Sequence, residues 1–237
     1  MSSIPVTLRP TTTPGVRRIT GADINWALSQ GWKDFNAKRG DVLVLAVLYP
    51  VLGLLAAVIA LDDRFLPVFF PLVAGLSVMG PAVAAGYYEI ARRREAGIDS
   101  SWFHFLDPLN GRSRAPLFVL TLMSLTLFVA WVSAAWIIYE VTLGRENPMT
   151  LAGGVQQLFS TRAGLTMVVV GNLVGAGFAV VTVVLTLVSF PMIVDRPVDA
   201  GTAVGTSIRA VGRNPVGVLS WGLRVAGLLI LGSLPLF

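Results

Sequence analysis

Long apolar stretches alternate with short polar segments along most of this chain. Each stretch is close to the roughly 20 residues that an α-helix needs to cross the hydrocarbon core of a bilayer. The pattern predicts an all-α integral membrane protein, a polytopic helical bundle over residues 41–237. Its five predicted spans cover residues 42–61, 66–88, 117–139, 165–193 and 216–234. Because the sequence is still apolar at Phe237, we also expect a sixth span to follow it.

The residues before the first span fall into two predicted parts. Residues 1–19 are polar and rich in Thr and Pro, which predicts a disordered cytoplasmic tail. Residues 20–40 predict an amphipathic helix at the membrane interface, with Thr20 as its N-cap and Asp23 at the capping-box position. Four apolar side chains share one face of that helix: Ile24, Leu28, Trp32 and Phe35. The alternative is a helix that packs against a partner subunit.

Composition agrees with a membrane protein and excludes several kinds of site. Hydrophobic residues make up 54% of the chain and charged residues 13%, with a mean hydropathy of +0.74. Soluble domains have about 25% charged residues. The absence of cysteine excludes disulfides, iron–sulfur clusters and Cys-ligated zinc, and a single histidine, His104, excludes a site built from several imidazoles. We expect no cofactor, no bound metal and no catalytic residue.

The basic residues predict the orientation of the chain in the membrane. The region before the first span, the loop over 91–115 and the segment over 194–214 contain six, five and three basic residues. The opposite side has three: Arg64, Arg145 and Arg162. Since Lys and Arg accumulate in cytoplasmic loops, the N-terminus is predicted to be cytoplasmic. The net charge of +5 therefore reflects topology and anionic lipid, and we expect no nucleic-acid partner.

Two polar residues inside predicted spans are candidate intramembrane contacts. Arg224 lies about 12 Å into the fifth span, at about 1.5 Å per residue, where an arginine costs about 2.5–3.5 kcal/mol on insertion scales. Three arrangements remain open: its side chain reaches the headgroups, it meets a polar group such as Asn172 or an acid outside the chain, or the span is misplaced. Asn172 lies in the fourth span beside a small-residue packing face formed by Gly171 and Gly175. Its amide is expected to bond to a neighbouring helix, and a substrate site is the alternative.

The long loop over 91–115 contains the remaining candidates. Arg92, Arg93 and Arg94 are predicted to end the second span at the membrane surface and to contact lipid headgroups. His104 lies between Trp102 and Phe105, a composition more typical of an interfacial residue than of a ligand site. A catalytic pair would need a partner for His104 that spacing alone does not identify.

Several segments resemble a bacterial family of integral membrane proteins of unknown function that is common in alphaproteobacteria. They lie at residues 16–20, 80–95, 189–196, 207–210 and 232–237. The resemblance implies six spans and a location in the bacterial inner membrane. Some members of that family are labelled as similar to cytochrome c oxidase subunit I. A haem–copper centre needs several histidines, so a catalytic role of that kind is excluded here, and Arg224 departs from the aliphatic residue expected at its position.

These observations predict a membrane protein that is not an enzyme. We expect it to bind the bilayer and another integral membrane protein, as an accessory subunit of a respiratory or photosynthetic electron-transport complex. The alternative is a small transporter, a channel or a lipid-handling protein, in which Asn172 and Arg224 would line a path.

Overall fold

The computed structural model describes residues 14–38, 54, 69–144 and 154–233. The described residues are largely helical, and no β-strand occurs among them, which confirms the prediction of an all-α membrane protein. The predicted tail up to residue 13, the predicted first span over 42–61 apart from Leu54, and the expected sixth span lie outside the described residues.

The helices follow one another with short connections. We number the α-helices α1 (Gly21–Ala37), α2 (Phe69–Glu95), α3 (Asp107–Asn110), α4 (Arg114–Tyr139), α5 (Gly154–Ser160), α6 (Arg162–Thr186), α7 (Ser189–Asp195), α8 (Ala200–Arg213) and α9 (Pro215–Ser233). A 3₁₀ turn, Trp102–Leu106, precedes α3, and a π-helical turn, Glu140–Gly144, continues α4.

Within the described ranges, two helical stretches are long and apolar enough to cross a membrane. They are Arg114–Gly144 and Arg162–Asp195, which contain the predicted spans over 117–139 and 165–193. At the end of the chain, helix α9 covers most of the predicted fifth span over 216–234. Its stretch Pro215–Leu231 meets that criterion together with Ala200–Arg213, and the two helices are bent by 96°. The bend lies at Asn214, because the residue before a proline is disfavoured in the α conformation.

The hydrophobic core lies where α2, α4, α7 and α8 meet. Leu120 of α4 and Phe190 of α7 are fully buried there, next to Ile193 and Ala203. A break separates α6 from α7, and the backbone N–H of Val188 at this break donates to the buried hydroxyl of Ser207, at 3.2 Å. A buried N–H needs such a partner, so α8 stabilises the break in the long span.

The described residues between α4 and α6 include the π-helical turn and α5. A small apolar cluster forms there, where Tyr139 and Leu143 pack against Leu158. Gly164 of α6 permits this contact, since a Cβ on it would lie 2.7 Å from the Cα of Leu158. Helix α5 has only seven residues. A helix of this length is too short to show a periodic pattern of hydrophobic residues, and packing stabilises it.

Helix α1 begins with the predicted capping box. Asp23 N–H donates to the Thr20 hydroxyl, and the Thr20 N–H donates to the Asp23 carboxylate at 2.8 Å. The two indoles of α1 are both exposed, Trp26 at 65% and Trp32 at 66%. The helix over this stretch is therefore present, while its position at the membrane interface stays a prediction.

Candidate functional site

The end of α2 carries a buried carboxylate that is held by two arginines. Glu89 is 6% exposed. Arg92 donates to both of its carboxylate oxygens, from Nε at 2.8 Å and from a terminal nitrogen at 2.5 Å. Arg93 lies 3.7 Å from the same carboxylate. Since a buried charge is stable only when it is paired, these ion pairs hold the last two turns of α2 in place.

Arg93 also joins α2 to the loop that contains His104. Its Nε donates to the backbone oxygen of Asp99 at 2.5 Å, and a terminal nitrogen donates to the carboxylate of Asp107 at 3.3 Å. The His104 ring lies between the same two acids, with Nδ1 2.7 Å from Asp107 and Nε2 3.0 Å from Asp99. The loop is thus closed by a network of opposite charges. We call Glu89, Arg92, Arg93, Asp99, His104 and Asp107 the polar network.

The polar network favours the charged form of the histidine. The hydrogen bond to Asp99, followed by that to Asp107, raises the pKa of His104, and the nearby Arg93 opposes this only in part. In turn the His104 ring and the Ser101 N–H lower the pKa of Asp99. In the charged form both ring nitrogens donate to carboxylates, and His104 then has no free lone pair for proton abstraction. The arrangement therefore fits a structural clasp better than an acid–base pair.

Apolar contacts hold the same loop against α2. The rings of Tyr87 and Phe105 meet edge to face, with centroids 5.1 Å apart. Gly86 lies beneath this contact, and a Cβ on it would come within 2.6 Å of the Phe105 Cγ. The absence of a side chain at residue 86 thus lets the 3₁₀ turn approach α2 closely.

An open cavity of about 440 Å³ lies beside the polar network. Its lining includes Arg92, Arg93 and Arg112, together with Glu89 and Asp107. Its charge is therefore mixed. Across the described part of the chain, no group of three or more His, Cys, Asp or Glu side chains could hold a metal ion.

The three arginines predicted to contact headgroups all have partners within the chain. Arg92 and Arg93 belong to the polar network, and Arg94 forms an ion pair with Asp34 of α1. Headgroup contact by these residues stays a prediction. The pair with Asp34 shows that the arginines also connect α2 to the N-terminal helix.

The two candidate intramembrane residues do not bond to each other. Arg224 of α9 donates to the side-chain oxygen of Asn25 in α1, at 2.5 Å. Asn172 of α6 is exposed, and its amide donates to the backbone oxygen of Val168 in its own helix, at 2.7 Å. Arg224 therefore finds a polar group in its own chain, on the helix that is predicted to lie at the interface.

The two glycines of the predicted packing face have different surroundings. A Cβ on Gly175 would lie 3.6 Å from the Trp131 ring of α4, so this position takes part in packing between α4 and α6. A Cβ on Gly171 would meet no atom within 4 Å. Of the small-residue face, only Gly175 packs against another helix among the described residues.

Asn214, the buried residue at the bend between α8 and α9, was not among the residues predicted to be functional. Its side-chain oxygen accepts a hydrogen bond from the Ile19 N–H at 2.7 Å. Its amide donates to the backbone oxygens of Arg17 at 3.1 Å and Ala210 at 3.0 Å. An asparagine directly before a proline is a sequence signal for a bend, but nothing nearby in sequence indicates that it binds the segment before α1.

Long-range contacts bring the predicted cytoplasmic segments to one end of the bundle. Asn214 joins the last turn of α8 to the segment before α1, and Arg94 joins the last turn of α2 to α1. Arg112 donates to the backbone oxygen of Asp195. Arg162 lies at the start of α6, whose other end leads into this region. The three segments that contain most basic residues are therefore neighbours.

Comparison with known proteins finds one match. A family model described as "Predicted integral membrane protein (DUF2189)" matches residues 69–195, from the start of α2 to the end of α7, and so includes the polar network. No curated protein and no solved structure matches the chain. Since the matched residues form more than half of the sequence, the chain belongs to the DUF2189 family of predicted integral membrane proteins.

Proposed function

We propose that this integral membrane protein acts without catalysis, by binding another integral membrane protein as an accessory subunit. Support comes from the exposed face of α6, where an amide lies in the middle of an apolar span. Leu165, Val169, Asn172 and Ala176 recur at spacings of four, three and four residues, and all four are exposed. This is the spacing at which one helix presents a seam to another.

The amide of Asn172 carries the proposal. Its bond to Val168 uses one N–H, which leaves the second N–H and the oxygen without a hydrogen bond to any residue that the structure describes. In hydrocarbon, unsatisfied polar groups are unfavourable. Interhelical hydrogen bonds from such side chains contribute about 0.6–2 kcal/mol each in membranes. A polar group on a partner helix would supply the hydrogen bonds that lipid acyl chains cannot make.

The test is purification in a mild detergent, followed by mass spectrometry of the proteins that remain bound. We expect a membrane protein in fixed stoichiometry with the wild type, and its loss with Asn172→Leu. Thr166→Val is the matched control, because the Thr166 hydroxyl bonds to its own helix, at Arg162, from another face. Equal recovery of the partner with Asn172→Leu would refute this face as the interface. Subunits of an electron-transport complex among the bound proteins would support the more specific role that the family labelling implies.

We further propose that the protein lies in the bacterial inner membrane with its N-terminus in the cytoplasm. The basic segments that meet at one end of the bundle support this orientation. Alkaline phosphatase fused after Arg94 should be inactive, and the same enzyme fused after Glu146 should be active. The opposite pattern would reverse the topology.

A lipid-handling role is the second candidate. The cavity of about 440 Å³ favours this role, since Arg92 and Arg112 line the cavity. Among the described residues, each of these guanidinium groups has N–H groups that make no hydrogen bond to the protein. Lipid that co-purifies with the wild type and is lost with Arg112→Gln would favour this role. Retention of the same lipid in that variant would argue against it.

A further inference from the structure

A second groove lies between the segment before α1 and the last turn of α8. Its volume is about 700 Å³. It is lined by Pro14, Gly15 and Val16 on one side and by Arg209, Gly212 and Arg213 on the other. Both charged residues of the lining are arginines. Unlike the cavity beside the polar network, this groove has no carboxylate among the described residues that line it.

Hydrogen bonds hold the two sides of this groove together, and two glycines leave space between them. Asn214 is 6% exposed and binds the backbone of Arg17 and Ile19, which holds the N-terminal segment against the end of α8. A Cβ on Gly15 or on Gly212 would meet no atom within 4 Å. Among the described residues, the space around these two glycines is therefore open.

The two arginines have donors to spare. Arg209 and Arg213 are four residues apart in α8, so their side chains lie on the same face of the helix. Arg209 donates to the Thr206 hydroxyl at 3.0 Å, a neutral acceptor. Among the residues that the structure describes, no carboxylate lies within ion-pair distance of either guanidinium. Arg17 and Arg18 add positive charge next to the groove, and the half-buried Asp23 forms an ion pair with Arg17.

We propose that this groove binds a phosphate group. A guanidinium offers paired N–H donors that match phosphate oxygens, and charge-assisted bonds of this kind are stronger than neutral ones. Arg209 and Arg213 hold the phosphate from the α8 side. The two arginines also offset the negative end of the α8 dipole. A phospholipid headgroup and a soluble phosphate compound both carry this chemistry. The proposal is independent of the partner-binding function, since no residue of the groove lies on α6.

The experiment measures binding by the full-length chain in an uncharged detergent. The probes are short-chain phosphatidylglycerol, inorganic phosphate and a short-chain diacylglycerol that has no phosphate. The test variants are Arg209→Gln/Arg213→Gln, which removes the donors, and Gly212→Leu, which fills the groove and keeps the charge. The control variant Arg114→Gln/Arg196→Gln removes the same charge outside the groove lining. The midpoint of thermal unfolding and gel filtration check that every variant is folded.

We expect the wild type to bind phosphatidylglycerol or inorganic phosphate. Both test variants should weaken that binding roughly tenfold or more, while the control stays within about twofold. Binding of the lipid alone identifies a headgroup site, and binding of inorganic phosphate, or displacement of the lipid by it, identifies a soluble ligand. The proposal is overturned if neither phosphate probe binds, if diacylglycerol binds as well as phosphatidylglycerol, or if the control loses as much affinity as the test variants.

Discussion

Replacing Asn214 with alanine should release the segment before α1 from the end of α8. The substitution removes the hydrogen bonds to Ile19 and Arg17, which lie 195 and 197 positions away in sequence. It also removes the bond to Ala210, but that carbonyl still accepts from the backbone N–H of residue 214. The loss should therefore loosen the N-terminal segment and leave the bundle folded.

The magnitude follows from the two long-range bonds. A hydrogen bond contributes about 0.5–1.5 kcal/mol net, so their loss should favour the open segment by about 1–3 kcal/mol. This corresponds to a population of the open state that is roughly five- to 150-fold larger. Proteolysis follows that population when opening is fast compared with cleavage.

Trypsin provides the assay, because Arg17 and Arg18 lie in the segment that Asn214 holds. The rate of cleavage at these two sites should rise in Asn214→Ala by the factor given above. Asn172→Ala is the matched control, since that amide bonds only to its own helix among the described residues. Equal cleavage rates in the wild type and Asn214→Ala would refute the idea that this side chain holds the segment.

Three further variants or conditions test other parts of the fold. Gly164→Ala should lower the midpoint of thermal unfolding, because its Cβ would lie 2.7 Å from the Leu158 backbone, whereas Gly177→Ala, which meets no atom within 4 Å, should not. Glu89→Ala should destabilise the protein by about 3 kcal/mol, since it leaves two arginines without their buried partner; an unfolding midpoint equal to that of the wild type would contradict this. The pKa of His104 is raised in the folded protein, so the charged ring stabilises the loop. This stabilisation is complete below the unfolded-state pKa of His104, near pH 6.5, and is lost as the pH rises through the folded-state pKa. Hydrogen exchange of residues 99–107, corrected for the intrinsic rate, should show this loss of protection, and His104→Gln should abolish the pH dependence.

The candidate sites could be predicted in part. Sequence reasoning selected Arg92 and Arg93 from their position after an apolar stretch, and both belong to the polar network. It identified no partner for His104, although Asp99 and Asp107 are only five and three residues away. The reason is conformational: the side chains converge because the loop folds into a 3₁₀ turn, and short turns leave a weak periodic signal.

The sequence alone determined the class of this protein and the positions of most helices in the described ranges. Hydropathy and capping act over neighbouring residues, so the span around Leu120 and the capping box at Thr20 can be recognised without a structure. Only the tertiary structure decided which polar groups meet. Arg224 bonds to Asn25 across 199 positions, and Asn214 binds a segment almost as distant. Such pairs depend on how each helix is rotated and tilted against its neighbours. That arrangement is set by the packing of all the helices together, and no local pattern of residues contains it.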